Sequence, residues 1–227
     1  MAAAAPTLEW EKELATQGYQ AVAGCDEVGR GSLAGPVSVG VVIIHPESTV
    51  ELPGVKDSKL LRVPVREALV PTIIDWAAAS AVGHASALEI DALGLVAALR
   101  LAGQRAMAQA AASVIPDFVI LDGNQDWLSV PQQSGLDLFT VPEAELEQPV
   151  AAPWRIQTRI KADMTCMSVA AASVLAKVER DAIMAGLAQE FPAFGWDSNM
   201  GYGTPVHKAA IAELGATDHH RKTWRLV

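Results

Sequence analysis

Short apolar runs rich in β-branched residues alternate with longer stretches of helical periodicity along this chain. The runs Gln20–Cys25, Val37–Ile44, Ala79–Ser86, Phe118–Asp122 and Arg155–Lys161 predict strands. Ser86-Ala-Leu-Glu89 is a capping box, and it predicts a long Ala/Leu-rich helix to about Val114, stopped before Pro116. A second long helix is predicted from about Thr165 to Glu190 and a shorter one near Val206–Leu214. The first two strands are close in sequence and joined by a glycine loop, which favours an antiparallel hairpin. The later strands alternate with helices and call for parallel crossovers, so the sheet is expected to be mixed.

One stretch departs from this rhythm. Residues 123–154 carry Asp126, Asp137, Glu143, Glu145 and Glu147, several prolines and no Lys or Arg. They read as an acidic surface excursion between two strands, with a candidate hairpin over Ser134–Thr140. The rest reads as a single domain over 1–227, with 1–18 as a flexible N-terminus and about 191–227 as a helical C-terminal extension.

Composition bounds the class. The 227 residues are 51% hydrophobic, enough for one well-packed α/β domain, and no apolar stretch approaches the ~20 residues of a membrane span. Two cysteines, Cys25 and Cys166, make neither a disulfide framework nor a zinc cluster, which fits a reducing cytoplasm. The net charge of −9 alone argues against nucleic acid. From Arg155 onward, however, nine Lys and Arg stand against seven acids, leaving room for a locally basic face that binds phosphates.

The chemistry concentrates at Gly24-Cys-Asp26-Glu27-Val-Gly29-Arg30-Gly31. An apolar strand runs into two adjacent carboxylates, which are costly to keep ionised at a buried strand end without a cation or hydrogen bonds. The glycines beside Arg30 let backbone amides and a guanidinium approach an anion. Asp122 ends a second apolar strand, and Asp163 follows Arg159-Ile-Lys161-Ala just before the long helix. If the two strands are parallel neighbours, Asp26, Glu27, Asp122 and Asp163 meet at one sheet edge, a hard-oxygen donor set suited to Mg²⁺ or Mn²⁺. Two such ions about 3.5–4 Å apart can activate water and stabilise the leaving oxygen of a phosphodiester. Taken singly, each acid is also an ordinary turn residue, and Asp163 an ordinary helix-start acid. No Gly-Lys-Ser/Thr follows the glycines, so a P-loop is excluded.

These residues resemble the signature of the ribonuclease HII family, the type 2 ribonucleases H. Asp57-Ser58-Lys59, Leu121-Asp122-Gly123-Asn124, Lys161-Ala-Asp163, the segment Ser168 to Asp181, Gly201-Tyr202-Gly-Thr204 and His219-His220-Arg221 join the first motif in the family's order, from about residue 20 to 224. The resemblance implies a ribonuclease H-like α/β fold with a mixed five-stranded sheet flanked by helices. It implies hydrolysis of RNA in RNA–DNA hybrids and 5′ to single ribonucleotides in duplex DNA, in the service of replication and ribonucleotide excision repair. Asp26, Glu27, Asp122 and Asp163 match the catalytic and metal-binding acids. Gly29, Arg30 and Gly31 match the loop that senses a 2′-hydroxyl, and Tyr202 the tyrosine that stacks on the sugar. Lys59, Ser168 and Lys177 are further substrate-contact candidates, and the protein is expected to act on nucleic acid as a monomer. Departures are Ala162 for a usual glycine, Gln125 for a basic residue, Asn199-Met200 for His-Lys, and the long acidic stretch. A metal-dependent phosphatase of small substrates and a non-catalytic nucleic-acid binder remain the alternatives, while Arg30 speaks against ribonuclease HIII.

Overall fold

The structure, a computed structural model, describes residues 5–130 and 154–227. In chain order the elements are α1 (Glu9–Thr16), β1 (Val22–Val28), β2 (Val37–Ile44), α2 (Val63–Trp76), β3 (Ala79–Ala85), α3 (Ala87–Leu93), α4 (Leu95–Ala111), β4 (Phe118–Asp122), β5 (Arg155–Arg159), α5 (Ala162–Thr165), α6 (Met167–Glu190), α7 (Trp196–Asn199) and α8 (Pro205–Leu214). Five strands form one sheet in the order β3-β2-β1-β4-β5. β1 pairs antiparallel with β2, and β2 with β3, while β1–β4 and β4–β5 are parallel. The expected mixed sheet is therefore what forms.

Alternation along the strands divides the core between the two faces. Ala23, Cys25, Val39, Val41, Val119 and Leu121 pack with the α4 residues Leu99, Ala102 and Ala106. Val42 and Ile44 pack with α6 residues Ala171, Ala172 and Val174, and Val22 and Ile120 with Val169. Small residues let α6 lie very close to the sheet. A Cβ on Gly24 would stand 2.3 Å from the Ser168 carbonyl carbon, and one on Gly40 2.2 Å from the Ala172 oxygen. This contact fixes α6, and the helix start that follows Asp163, against the strand that carries Asp26.

Several expectations are corrected. β1 continues three residues past Cys25, because Asp26 and Glu27 keep their ladder partners Gly40 and Val39 on β2. The long helix after Ser86 is two helices, parted at Gly94, whose φ of 79° belongs to the left-handed region. Helix α2 has no clean apolar stripe, carries Pro64 near its start and Pro71 within it, and gave no periodic signal. The N-terminal segment is not a free tail over its described part. Leu8 and Leu14 are buried, Thr7 N–H donates to Thr165 O at 3.2 Å, and Met167 N–H donates to Thr7 O at 3.0 Å. The C-terminal extension is helical only to Leu214; beyond it the chain returns to pair His220 with Ala34. The acidic excursion starts inward, with Trp127 and Leu128 buried against Gly103. The candidate hairpin at Ser134–Thr140 lies outside the described residues. Among the described residues no helix is long and apolar enough to cross a membrane.

Candidate active site

Parallel pairing of β1 with β4 sets Cys25 beside Leu121, so the next residues of the two strands, Asp26 and Asp122, are neighbours on the face that α6 covers. Asp122 in turn holds the fourth acid. Its Oδ1 accepts hydrogen bonds from Ala162 N–H at 2.7 Å and Asp163 N–H at 3.4 Å, across the turn made by Lys161 in the left-handed region (φ 58°). Asp163 Oδ2 lies 3.5 Å from Lys59 Nζ, which is also 3.8 Å from Asp57 Oδ1. Asp57 shapes its own loop by accepting from Lys59 N–H at 3.0 Å. With 70% of its side chain exposed, Lys59 is a solvent-screened countercharge for these acids.

Electrostatics confirm the crowding. Burial, then the charges of Glu27 and Asp122, push the Asp26 carboxyl well above the usual carboxylate range, although Glu27 N–H donates to its Oδ1 at 2.8 Å. Burial also raises Asp122, against the pull of its two N–H donors, and raises Asp163 with help from Asp122 and Asp57. Burial lowers the Lys59 ammonium, but Asp26, Asp57 and Asp163 outweigh it and the net shift is upward. Cys25, buried beside these acids, has a thiol pushed far above its ordinary range and is chemically inert at neutral pH.

The remaining carboxylate is tied to the loop. Glu27 Oε1 pairs with Arg30 Nη1 at 3.0 Å, while its Oε2 is buried without a partner. Among the described residues no three carboxylate, imidazole or thiolate groups are drawn into a metal shell as they stand. Arg30 pairs with Glu27 and Lys59 with Asp163. The donor set nonetheless fits a hard divalent cation: all oxygen, mutually repelling, one buried oxygen orphaned.

The Gly29–Gly31 loop, which follows Asp26 and Glu27 in the chain, faces Tyr202. A Cβ on Gly31 would lie 3.9 Å from Tyr202 Cε1, and the ring is 40% exposed, which leaves its surface open to a ligand. Lys59 thus lies beside Asp163, Arg30 beside Glu27, and Tyr202 beside Gly31. Lys177 lies one turn beyond Ser173, whose Oγ accepts from Ser58 N–H at 3.1 Å, and is engaged with Asp181 at 2.6 Å. Ser168 is not a surface contact. It is fully buried, and its N–H and Oγ donate to Glu11 Oε1 at 2.9 and 2.8 Å. Residues that sequence reasoning passed over include Glu11, Asp57, Arg180 and Arg221. The last three lie within the family's motifs, but nothing local to the two arginines shows that they reach beneath the glycine loop.

The family model described as Ribonuclease HII matches residues 23–227. Ribonuclease HII of Streptomyces avermitilis is 46% identical over 220 residues, covering 96% of this chain and 83% of the relative. The crystal structure of ribonuclease H2 from Pyrococcus horikoshii is similar with a TM-score of 0.65 at 26% identity, over 91% of this chain and 94% of that one. Ribonuclease HII of Archaeoglobus fulgidus, solved in complex with PCNA, gives 0.64 at 27% identity over 91% and 96% of the two chains. The sheet with its flanking helices is the ribonuclease H-like fold.

Proposed function

The chain belongs to the ribonuclease HII family, and from that premise we propose that it is an endoribonuclease cutting the RNA strand of RNA–DNA hybrids and cutting 5′ to single ribonucleotides in duplex DNA. The observation that carries the reading is the juxtaposition of Asp26 with Asp122, and of Asp122 with Asp163, on one side of a loop that faces an open tyrosine. Asp26, Glu27, Asp122 and Asp163 would hold two Mg²⁺ or Mn²⁺ ions, whose Lewis acidity supplies water activation and stabilisation of the leaving 3′-oxygen. Asp122 positions Asp163 through the two N–H groups it binds, so loss of one disturbs the other. Lys59 stands beside Asp163 as a positive charge for the neighbouring phosphate. The Gly29–Gly31 loop approaches the ribose without a clashing Cβ and reads the 2′-hydroxyl, the local mark of RNA. Tyr202 offers its ring to the sugar across from that loop. The products are a 3′-hydroxyl and a 5′-phosphate.

The test uses purified protein, a DNA duplex carrying one ribonucleotide, and Mg²⁺ or Mn²⁺. The cut is expected 5′ to the ribonucleotide. Asp26→Asn and Asp122→Asn are expected to lower turnover at least about a thousandfold while preserving the circular dichroism spectrum. Undiminished metal-dependent cleavage in both variants, or hydrolysis of a simple phosphomonoester with no action on the duplex, would refute the reading.

A further inference from the structure

Two arginines lie fully buried beneath the Gly29–Pro36 loop, and among the described residues neither has a carboxylate within ion-pair distance. Arg221 Nη1 donates to Arg30 O at 2.8 Å, and its Nη2 donates to Gly29 O at 2.6 Å and Gly35 O at 3.2 Å. Arg180 holds the far end of the loop, donating from Nε to Pro36 O at 2.8 Å and from Nη2 to Ser32 Oγ at 2.9 Å and Ala34 O at 3.3 Å. Its Nη1 donates to Met200 O at 3.0 Å, close to Tyr202 in sequence. Asp91, the carboxylate whose charge acts on Arg221, is itself taken up by Lys222 N–H and by Thr223.

A buried cation without a carboxylate is costly. Neutral donors would satisfy the same carbonyl oxygens without that cost. The two guanidiniums also repel each other: burial, and then the charge of Arg180, hold Arg221 down to about 9, so it still carries its charge at neutral pH. The face of Trp224, 4.8 Å from Arg221 Cζ, offsets part of this, and Arg221 Nε is left buried with no acceptor. The loop therefore rests on unbalanced positive charge.

The peptide geometry says where that charge is directed. All peptides here are trans, so each N–H points away from the carbonyl of its own unit. The Gly29 and Arg30 carbonyls turn inward to Arg221, and the N–H groups of Arg30 and Gly31 accordingly point outward. Neither N–H donates to any acceptor among the described residues. We infer that Arg221 is a positioning residue for substrate recognition: it fixes these two peptides with both N–H groups facing a substrate phosphate and places its own uncompensated charge behind them. This rests on the reading of the protein as a nuclease acting on a phosphodiester. Arg221 touches no reacting atom, and it acts through the loop.

The experiment measures kcat and KM on a duplex carrying one ribonucleotide for the wild type, Arg221→Lys and Arg221→Gln. Gln removes the charge and two of the three carbonyl bonds, and KM is expected to rise about tenfold or more with kcat falling less than about threefold. Lys keeps a charge but lacks the planar fork, so an intermediate KM is expected. A KM within about twofold of wild type in both variants, with only the melting temperature lowered, overturns the inference, as does a fall in kcat at unchanged KM. Should neither variant fold, inorganic phosphate is titrated into ¹⁵N-labelled wild type. Shifts at the Arg30 and Gly31 amides support the inference and their absence overturns it. Failure of the wild type to cut the duplex would sink the nuclease reading itself, and the same phosphate titration compared between wild type and Arg221→Lys then decides the role of Arg221 alone.

Discussion

Acidifying the protein from about pH 7 to about pH 5 is expected to loosen the segment that carries Tyr202, with His220 setting much of the effect. The His220 ring is fully buried, and its Nε2 is 3.1 Å from His207 Nε2. Thr217 N–H donates to His220 Nδ1 at 2.9 Å, so the neutral ring carries its proton on Nε2 and donates it to His207. His207 Nε2 also accepts from Trp196 Nε1 at 2.9 Å, and its Nδ1 donates to Tyr202 O, likewise at 2.9 Å. With both rings neutral, Trp196 and His220 share the one lone pair of His207 Nε2, and each of the other ring nitrogens has a partner. A second proton on His220 would displace the Thr217 donor. Burial, followed by the charges of His207 and His219, lowers His220 to about 4.

The sign follows from proton counting. Between about pH 4 and about pH 6.5 the unfolded chain binds a proton that folded His220 refuses, so stability rises with pH there and is lost as pH falls. For a gap from 6.5 to about 4, going from about pH 7 to about pH 5 costs about 2 kcal/mol. For a chain of 227 residues that is about 4–8 °C in melting temperature. Asp26, Asp122, Asp163 and Glu11 are all raised and act in the opposite direction, stabilising the fold as pH falls. The assay therefore compares thermal melts of wild type and His220→Gln at the two pH values, in chelator, so that shared contributions cancel. Wild type is expected to lose about 4–8 °C more than the variant. Equal losses, within about 1 °C, would refute the argument.

Two further substitutions probe the frame. Gly24→Ala would set a Cβ 2.3 Å from the Ser168 carbonyl carbon and 2.4 Å from Val169 N, backbone that cannot swing aside. A loss of about 1–3 kcal/mol is expected in denaturant unfolding, and an unchanged midpoint would show that α6 is free to shift. Ser168→Ala removes one of the two Ser168 donors to Glu11 and is expected to cost about 1–3 kcal/mol while KM stays at its wild-type value. A raised KM at unchanged stability would return Ser168 to the substrate surface.

Sequence reasoning succeeded where the signal is local. Val37–Ile44 is buried throughout and Phe118–Asp122 is buried up to its final acid, and both strands were bounded to the residue. The juxtaposition of Asp26, Asp122 and Asp163 is legible because strand ends and a helix start announce themselves by pattern, and parallel pairing brings them together. It failed where the cause is distant. Glu11 looks like a solvated acid in Glu9-Trp-Glu-Lys, yet it is buried by bonds to Ser168, 157 residues away. That same bond removes Ser168 from the surface, so one unseen contact produced two errors: a flexible tail and a substrate-binding serine. The helical pattern runs through Gly94 without a break because Leu95–Ala111 resumes the same composition at once. Arg221 stands in a charged tail, and its burial depends on a return of the chain to Ala34 that no periodicity encodes.

The loop from Asp26 to Pro36 joins two unbalanced sets of charge. At its start, carboxyls are raised by burial and by one another. Beneath its end, two guanidiniums lie buried without a carboxylate. Had the sets been adjacent they would have neutralised each other, and the fold would be more stable. The backbone of the loop keeps them apart, with Arg30 alone bridging to Glu27 at 3.0 Å. A phosphodiester bound with divalent cations brings both complements at once, positive to the acids and negative to the loop. A ligand that carries both would recover more of the stability forgone in the free protein than a cation or a phosphate alone.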